Sequence, residues 1–451
     1  MIISKFRRIK SLCLTNKYMC RIYDSPIGKR LLTGGFWSLS GNIVSKAILL
    51  LSTIVVAHIL GKNGYGEYSI IRTTIFMFIA LASVGVGATT TKYISQYRDS
   101  DIQKAYNIYL VSAIFSIVFG VITAIIVIIL SQWIAADQLN APYLSDSIKY
   151  GALLLFFCTI NGAQSGALAG FENFKEVAKN TCISSLVEIV LISVLAFFYG
   201  INGALVGSAG GYIVLTAINY LSIRKHFDGC ARTKVSDIRR DEFRTVWVFG
   251  VPAALCNLLV ICALWMSRTY LVQETNFGEI AIYNAADQVN SIIVFVPSSL
   301  GAILLPILTN IKHTDSKGNY NIMLKYNIMS NIGISLMLAI PIICLSKPIL
   351  HLWGPDFDNT LPLIILSASS IFSSFAMVVG QAIASQGKMW AGFLCNLIWA
   401  LLVVVISHVF IRRGLGATGL AMAILIAYAL HGMYQYVYLR YCLLKPDEMR
   451  G

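Results

Sequence analysis

The stretch FWSLSGNIVSKAILLLSTIVVAHILGKNGYGEYSIIRTTIFMFIALASVGVGATTTKYISQY, residues 36–97, decides the fold. It holds two apolar runs of membrane length, joined by Gly61-Lys62-Asn63-Gly64-Tyr65-Gly66. About 20 apolar residues span a bilayer as a helix, so the stretch predicts a transmembrane hairpin. Lys46 lies inside the first run. A lysine near the bilayer centre costs roughly 2.5–3.5 kcal/mol on insertion scales. It therefore calls for water, a substrate or a partner charge.

The rest of the chain has the same character. Of its 451 residues, 57% are hydrophobic and 12% charged, against about 25% charged in soluble domains. Strands of a membrane barrel would alternate in polarity over about ten residues, and these runs do not. Backbone groups in lipid must be bonded within the segment, which predicts an all-α polytopic membrane protein. Apolar runs lie at 36–60, 68–91, 108–134, 148–170, 178–199, 201–223, 245–270, 282–309, 327–347, 361–385, 389–411 and 416–439. The expectation is twelve helices. The ten cysteines fall mostly inside these runs without metal-ligand spacing, and read as small packing residues.

Orientation follows from Lys and Arg. With a cytoplasmic N-terminus, 27 of the 35 basic residues fall on the inner side and 7 on the outer, leaving Lys46 within a helix. Both termini are thus expected in the cytoplasm. The formal charge of +14 reflects basic inner loops rather than nucleic-acid binding. The basic N-terminal segment lacks the short apolar core and small-residue cleavage site of a signal peptide.

The halves repeat. Tyr65-Gly66-Glu67-Tyr68 matches Phe277-Gly278-Glu279-Ile280, and Gly170 matches Gly387. Gly200-Ile201-Asn202-Gly203 matches Gly416-Ala417-Thr418-Gly419. Six helices per half is an even number, which predicts parallel repeats about an axis along the membrane normal, with the site between them. The expected organisation is a basic tail (1–35), a six-helix bundle (36–223), a basic linker (224–244), a second six-helix bundle (245–440) and a short tail (441–451).

Enzymatic signatures are weak. No GxxxxGK[ST] loop for ATP is present. Gly414-Leu415-Gly416-Ala417-Thr418-Gly419 matches GxGxxG but lies between two membrane helices with no preceding strand. The pairs Asp99/Asp101 and Asp356/Asp358 sit in short loops, without a soluble domain that could use them to hold a metal. The chain offers no catalytic residue set, no metal site and no cofactor motif.

Polar residues on helix faces remain. Ser38, Asn42, Ser45, Lys46 and Thr53 fall mostly on one side of the first helix. Asn284, Asp287, Gln288, Ser291 and Ser298 form a stripe at helical spacing on the eighth. Such stripes face protein or water rather than lipid. The candidate cavity residues are Lys46, Asn42, Arg72, Arg268, Asn284 and Gln288. Lys46 reads as a cationic contact for an anionic substrate, or as a structural ion pair with Asp287 or Glu188. Arg72 and Arg268 sit near helix ends, where they could also reach the outer interface. Asp287 and Glu188 are candidates to carry a coupling proton or sodium ion, or are structural carboxylates. His431 reads as a packed polar residue.

Three pieces carry a family resemblance: LGKNGYGEYS (60–69) with ASVGVGATTTKYISQY (82–97); ALAGFENFKEVAKN (167–180); and IYNAADQVNSIIVFVPSSLGAILLPILTNI (282–311). Residues 30–440 resemble the polysaccharide-transport branch of the multidrug/oligosaccharidyl-lipid/polysaccharide exporter superfamily, and more narrowly Wzx-type O-antigen flippases. The resemblance implies a bacterial inner-membrane transporter. It would move undecaprenyl-diphosphate-linked oligosaccharide from the cytoplasmic to the periplasmic leaflet by alternating access. An ion gradient or removal of product would drive it, and other polysaccharide-assembly proteins are possible partners. Two other readings stay open: a drug or metabolite antiporter of the same superfamily, and a membrane-embedded polysaccharide enzyme such as a polymerase.

Overall fold

The computed structural model describes residues 26–83, 85–228, 258–314, 317–386 and 388–444. Among them every regular element is helical. Helix Pro26–Ser83 breaks at Gly61 (φ 72, ψ 176), giving α1 (26–60) and α2 (62–83). A left-handed Gly85 then admits a short helix, Val86–Tyr97. Next come α3 (Ile102–Trp133) and α4 (Ser145–Gly170). Helix Phe174–His226 breaks at Gly200, giving α5 (174–199) and α6 (201–226). The second half supplies α7 (258–274) and α8 (Phe277–Thr314). It continues with α9 (Lys317–Cys344), α10 (Leu361–Ser385), α11 (Met389–Phe410) and α12 (Gly416–Tyr438).

Seven continuous stretches of the described residues are long and apolar enough to cross a membrane. Those over Ser40–Ser83, Phe174–His226 and Trp390–Cys442 each contain a glycine break and so make two crossings. Adding α7 and α8 gives the twelve expected helices. The outer surface is apolar. On α3, Ile122, Ile125 and Ile129 are exposed, Ile129 by 72%, which a water-facing helix would not tolerate as a continuous face.

Several boundaries differ from expectation: α1 begins at Pro26, inside the expected tail 1–35, α3 at Ile102 rather than 108 and α9 at Lys317 rather than 327. The first hairpin turns at Gly61 alone, because helix resumes directly after it instead of after Gly66. The second span stops at Ser83 rather than 91, because Gly85 adopts φ 67. The expected linker 224–244 begins inside α6, and from residue 229 on it lies outside the described residues. So do the start of the seventh run and Gly387.

The repeat is visible in the backbone. Gly200 has φ 58 and ψ −136, and Gly416 has φ 49 and ψ −133. Both values suit only a residue without a Cβ. Each glycine opens the last helix of its half, and each opening is tied the same way. Ser147 Oγ donates to Asn202 Oδ1 at 2.6 Å, and Asn359 Nδ2 donates to Thr418 Oγ1 at 3.2 Å. Within the first half, Gly87 lets α4 come close. A Cβ on Gly166 would lie 2.3 Å from the Gly87 carbonyl oxygen, the small-residue packing expected where helices meet in lipid.

Candidate transport cavity

The halves meet where the two signature turns face each other. A Cβ on Gly66 would stand 1.9 Å from the Phe277 carbonyl oxygen, so the two backbones touch there. The Tyr65 and Phe357 rings pack beside them, with centroids 6.2 Å apart. Three polar contacts cross between the halves just below. Asn284 Nδ2 donates to Ser69 Oγ at 2.8 Å. Trp265 Nε1 donates to Thr74 Oγ1 at 3.0 Å, and Arg268 Nη1 to Thr73 Oγ1 at 3.4 Å. The turn end of the molecule is shut.

Beneath this roof lies a cavity of about 340 Å³. From α1 it takes Leu49 and Thr53, and from α2 Ser69, Arg72 and Thr73. From α7 it takes Arg268, and from α8 Asn284, Asp287 and Gln288. Four helices, two from each half, build one wall of mixed charge.

The electrostatics centre on one pair. Arg268 Nη2 binds Asp287 Oδ2 at 2.9 Å, with side chains 13% and 34% exposed. The guanidinium also lies over the Tyr283 ring, 5.3 Å from its centroid. Arg268 Nε is buried with no hydrogen-bond partner among the described residues. Across the cavity, Arg72 lies 5.5 Å from the centre of the Phe76 ring and within electrostatic reach of Glu188.

The sequence candidates divide. Arg72, Arg268, Asn284, Asp287 and Gln288 line one cavity; the two arginines face inward rather than reaching for the interface. Glu188 stands behind the wall, packed against Gly211 with its Oε1 buried. Lys46 and Asn42 lie outside the lining. Lys46 is one helical turn below Leu49, its ammonium 5.4 Å from the centre of the Phe295 ring. It lies close enough to feel the charge of Asp287. Asn42 is exposed a further turn away. His431 is buried and stacks on Tyr434, with ring centroids 5.3 Å apart.

Sequence reasoning missed Ser69, Thr73, Thr74 and Trp265. The signal was present on α2, where Ser69, Arg72, Thr73 and Phe76 follow the same i, i+3, i+4, i+7 spacing as the stripe on α8. One member of each acidic pair serves local structure. Asp101 caps α3 by accepting from Lys104 N at 2.9 Å, and Asp358 contacts His351 at 3.3 Å. No group of three metal-binding side chains occurs among the described residues.

A family model described as "Polysaccharide biosynthesis protein" matches residues 31–312. A Shigella flexneri protein assigned as an O-antigen transporter is 21% identical over 369 residues, covering 79% of this chain and 85% of that protein. The lipid III flippase of Escherichia coli K12 is 23% identical over 300 residues, 62% of this chain and 68% of that one. Among solved structures, an inward-facing multidrug-resistance MATE family transporter of the MOP superfamily superposes with a TM-score of 0.78. It is 16% identical and covers 91% of this chain and 99% of that one. That likeness carries the fold and nothing finer.

Proposed function

Because the chain belongs to the polysaccharide biosynthesis protein family, we propose that it flips undecaprenyl-diphosphate-linked oligosaccharide, the repeat unit of an O-antigen or similar surface polysaccharide. The direction is from the cytoplasmic to the periplasmic leaflet of a bacterial inner membrane. The observation that carries this reading is the placing of Arg72 and Arg268, from opposite halves, on one cavity with Asp287 as its single acidic lining residue among the described residues.

The chemistry suits a diphosphate. Burying charge and hydroxyl groups in hydrocarbon without partners is prohibitive. Guanidinium groups bind phosphate oxygens through paired donors, and Ser69, Thr73, Asn284 and Gln288 offer bonds to sugar hydroxyls. At about 340 Å³ the cavity is near the lower end of ligand sites, about 300–1,000 Å³. It holds a diphosphate and an adjoining sugar, while the remaining sugars extend toward the open end and the lipid tail stays in the bilayer.

The basic loops support a cytoplasmic placement of both termini. The turn end, shut by Gly66 and Phe277, is then periplasmic, and this conformation accepts substrate from the cytoplasm. Transport alternates access as the bundles 36–223 and 245–440 rock about the cavity. A proton or sodium gradient acting through Asp287 or Glu188 drives the cycle.

The test is deletion of the protein, followed by analysis of which lipid-linked sugar accumulates on the cytoplasmic leaflet. Arg72→Ala is expected to reproduce that accumulation with normal protein in the membrane. Unchanged surface polysaccharide and lipid-linked pools after deletion, with loss of dye export instead, would overturn the proposal in favour of a drug antiporter.

A further inference from the structure

Lys46 does not line the cavity, yet it is placed with care. Lys46, Leu49 and Thr53 follow one face of α1 at i, i+3 and i+7. Leu49 and Thr53 line the cavity, so Lys46 stands one turn beyond it, on the side away from the signature turns. On α8, Asp287 and Gln288 line the cavity and Phe295 lies two turns further along. The ammonium rests over that Phe295 ring. Lys46 and Asp287 therefore share the seam between the first half and the second, the lysine on one half and the carboxylate on the other.

Asp287 is held by Arg268 through one contact, Nη2 to Oδ2. That bond lies wholly inside the second half. It also leaves Arg268 Nε buried and unused among the described residues. A phosphate group offers several acceptor oxygens and can take two guanidinium donors together, which a singly bound carboxylate does not match. A diphosphate entering the site thus competes with Asp287 for Arg268. The displaced carboxylate is only 34% exposed and needs a cation. Among the described residues, the groups besides Arg268 whose charge or dipole it meets are Lys46, the Tyr283 phenol and the Tyr428 phenol. Of these, only Lys46 is a cation.

We propose that a diphosphate substrate displaces Asp287 from Arg268 and that Asp287 then pairs with Lys46, exchanging an ion pair within one half for an ion pair between the halves. Loading thereby draws the open ends of α1 and α8 together and prepares the cavity to close behind the substrate. Lys46 is a positioning residue in this scheme, acting through Asp287 and not on the substrate. The inference rests on the flippase reading above, since it takes a diphosphate as the incoming anion.

The test places spin labels at Lys179 and Lys388, exposed positions on the open ends of the two halves, in a background without other reactive cysteines. Farnesyl diphosphate is the probe and farnesol its uncharged control. In the otherwise unaltered protein the probe is expected to bind and to shorten the inter-label distance, while farnesol does neither. Lys46→Ala should bind the probe within about threefold of the parent but leave the distance unchanged, and Lys46→Arg should restore the shortening. Asp287→Asn, lacking the internal competitor, should bind about tenfold tighter, a gain of about 1.4 kcal/mol, and should not close. Shortening in Lys46→Ala equal to that of the parent, or no tightening in Asp287→Asn, overturns the exchange while leaving the flippase reading in place. Failure of the parent to distinguish farnesyl diphosphate from farnesol removes the flippase reading, and the exchange with it.

Discussion

The two signature turns, Tyr65-Gly66-Glu67-Tyr68 and Phe277-Gly278-Glu279-Ile280, are the same motif in the two halves, but they carry different loads. Gly66 meets the Phe277 backbone, which cannot retreat without moving α8. The atoms nearest a Cβ placed on Gly278 are Asn276 Oδ1, Asn63 Oδ1 and Lys62 Cε, at 3.0–3.2 Å. These are ends of side chains that can swing aside. The following glutamates differ too. Glu279 accepts from the Ala417 amide at 2.7 Å, at the start of α12, while Glu67 accepts from the exposed Tyr143 hydroxyl. Duplication sets matched backbones, and the contact between the copies is then free to become unequal.

The sharpest way to break this comparison is to add a side chain at each glycine. Gly66→Val is expected to reduce transport more than tenfold, because the turn end cannot shut. A cysteine at Ser69 should then react with a membrane-impermeant thiol reagent applied from the periplasm. Gly278→Ala should stay within about twofold of the parent, and its Ser69 position should remain protected. Equal losses at the two positions would show that the turns share the closing contact evenly.

The charges are unequal in the same sense. At the 212-residue offset of the turns, Arg72 corresponds to Asn284, and Asp287 to Ile75. One half therefore brings a cation where the other brings an amide, and among the described residues only the second holds an ion pair inside the cavity. Removing one member of a fully buried pair costs about 3–5 kcal/mol. With Asp287 partly exposed, Arg268→Ala should cost about 1–3 kcal/mol. The melting midpoint in detergent should fall accordingly, and transport should be lost. Adding Asp287→Ala should recover most of the midpoint without recovering transport, because the uncompensated carboxylate is gone and the phosphate ligand is still missing. Recovery of transport in the double variant would assign Arg268 a purely structural role.

Much of this was legible in the sequence. Apolar run lengths gave the helices, and the glycine matches gave the repeat, because both are local consequences of helical geometry in lipid. The α8 stripe likewise located Asn284, Asp287 and Gln288, since a helix face can be read one residue at a time. Lys46 and Asn42 show the limit. Their spacing on α1 is correct, yet depth along the helix decides which turn reaches the cavity, and depth depends on how α1 slides against α8. Arg268 reads both as a cavity residue and as an interface residue for the same reason: the end of a run does not reveal whether the chain beyond it lies in water or under a neighbour. The contact of Gly66 with Phe277 joins positions 211 residues apart, and only the folded chain brings them together.

The smallest expected difference separates the two glutamates. The first amides of a helix lack intrahelical acceptors, and a carboxylate beside them also meets the positive end of the helix dipole. Glu279 occupies that position at α12, wedged so closely that a Cβ on Gly416 would sit 2.4 Å from its Oε2. Loss of such a cap costs about 0.5–2 kcal/mol. Glu279→Ala should therefore lower the melting midpoint measurably, and the left-handed turn at Gly416 should loosen with it. Glu67 lacks this role, since its partner is an exposed phenol rather than a helix start. Glu67→Ala should cost no more than about 0.5 kcal/mol, the low end for a hydrogen bond open to solvent. Transport should track the midpoints, because neither carboxylate lies on the cavity wall. A larger loss from Glu67→Ala than from Glu279→Ala would mean that the first half, not the second, depends on its signature glutamate to fix the opening of its last helix.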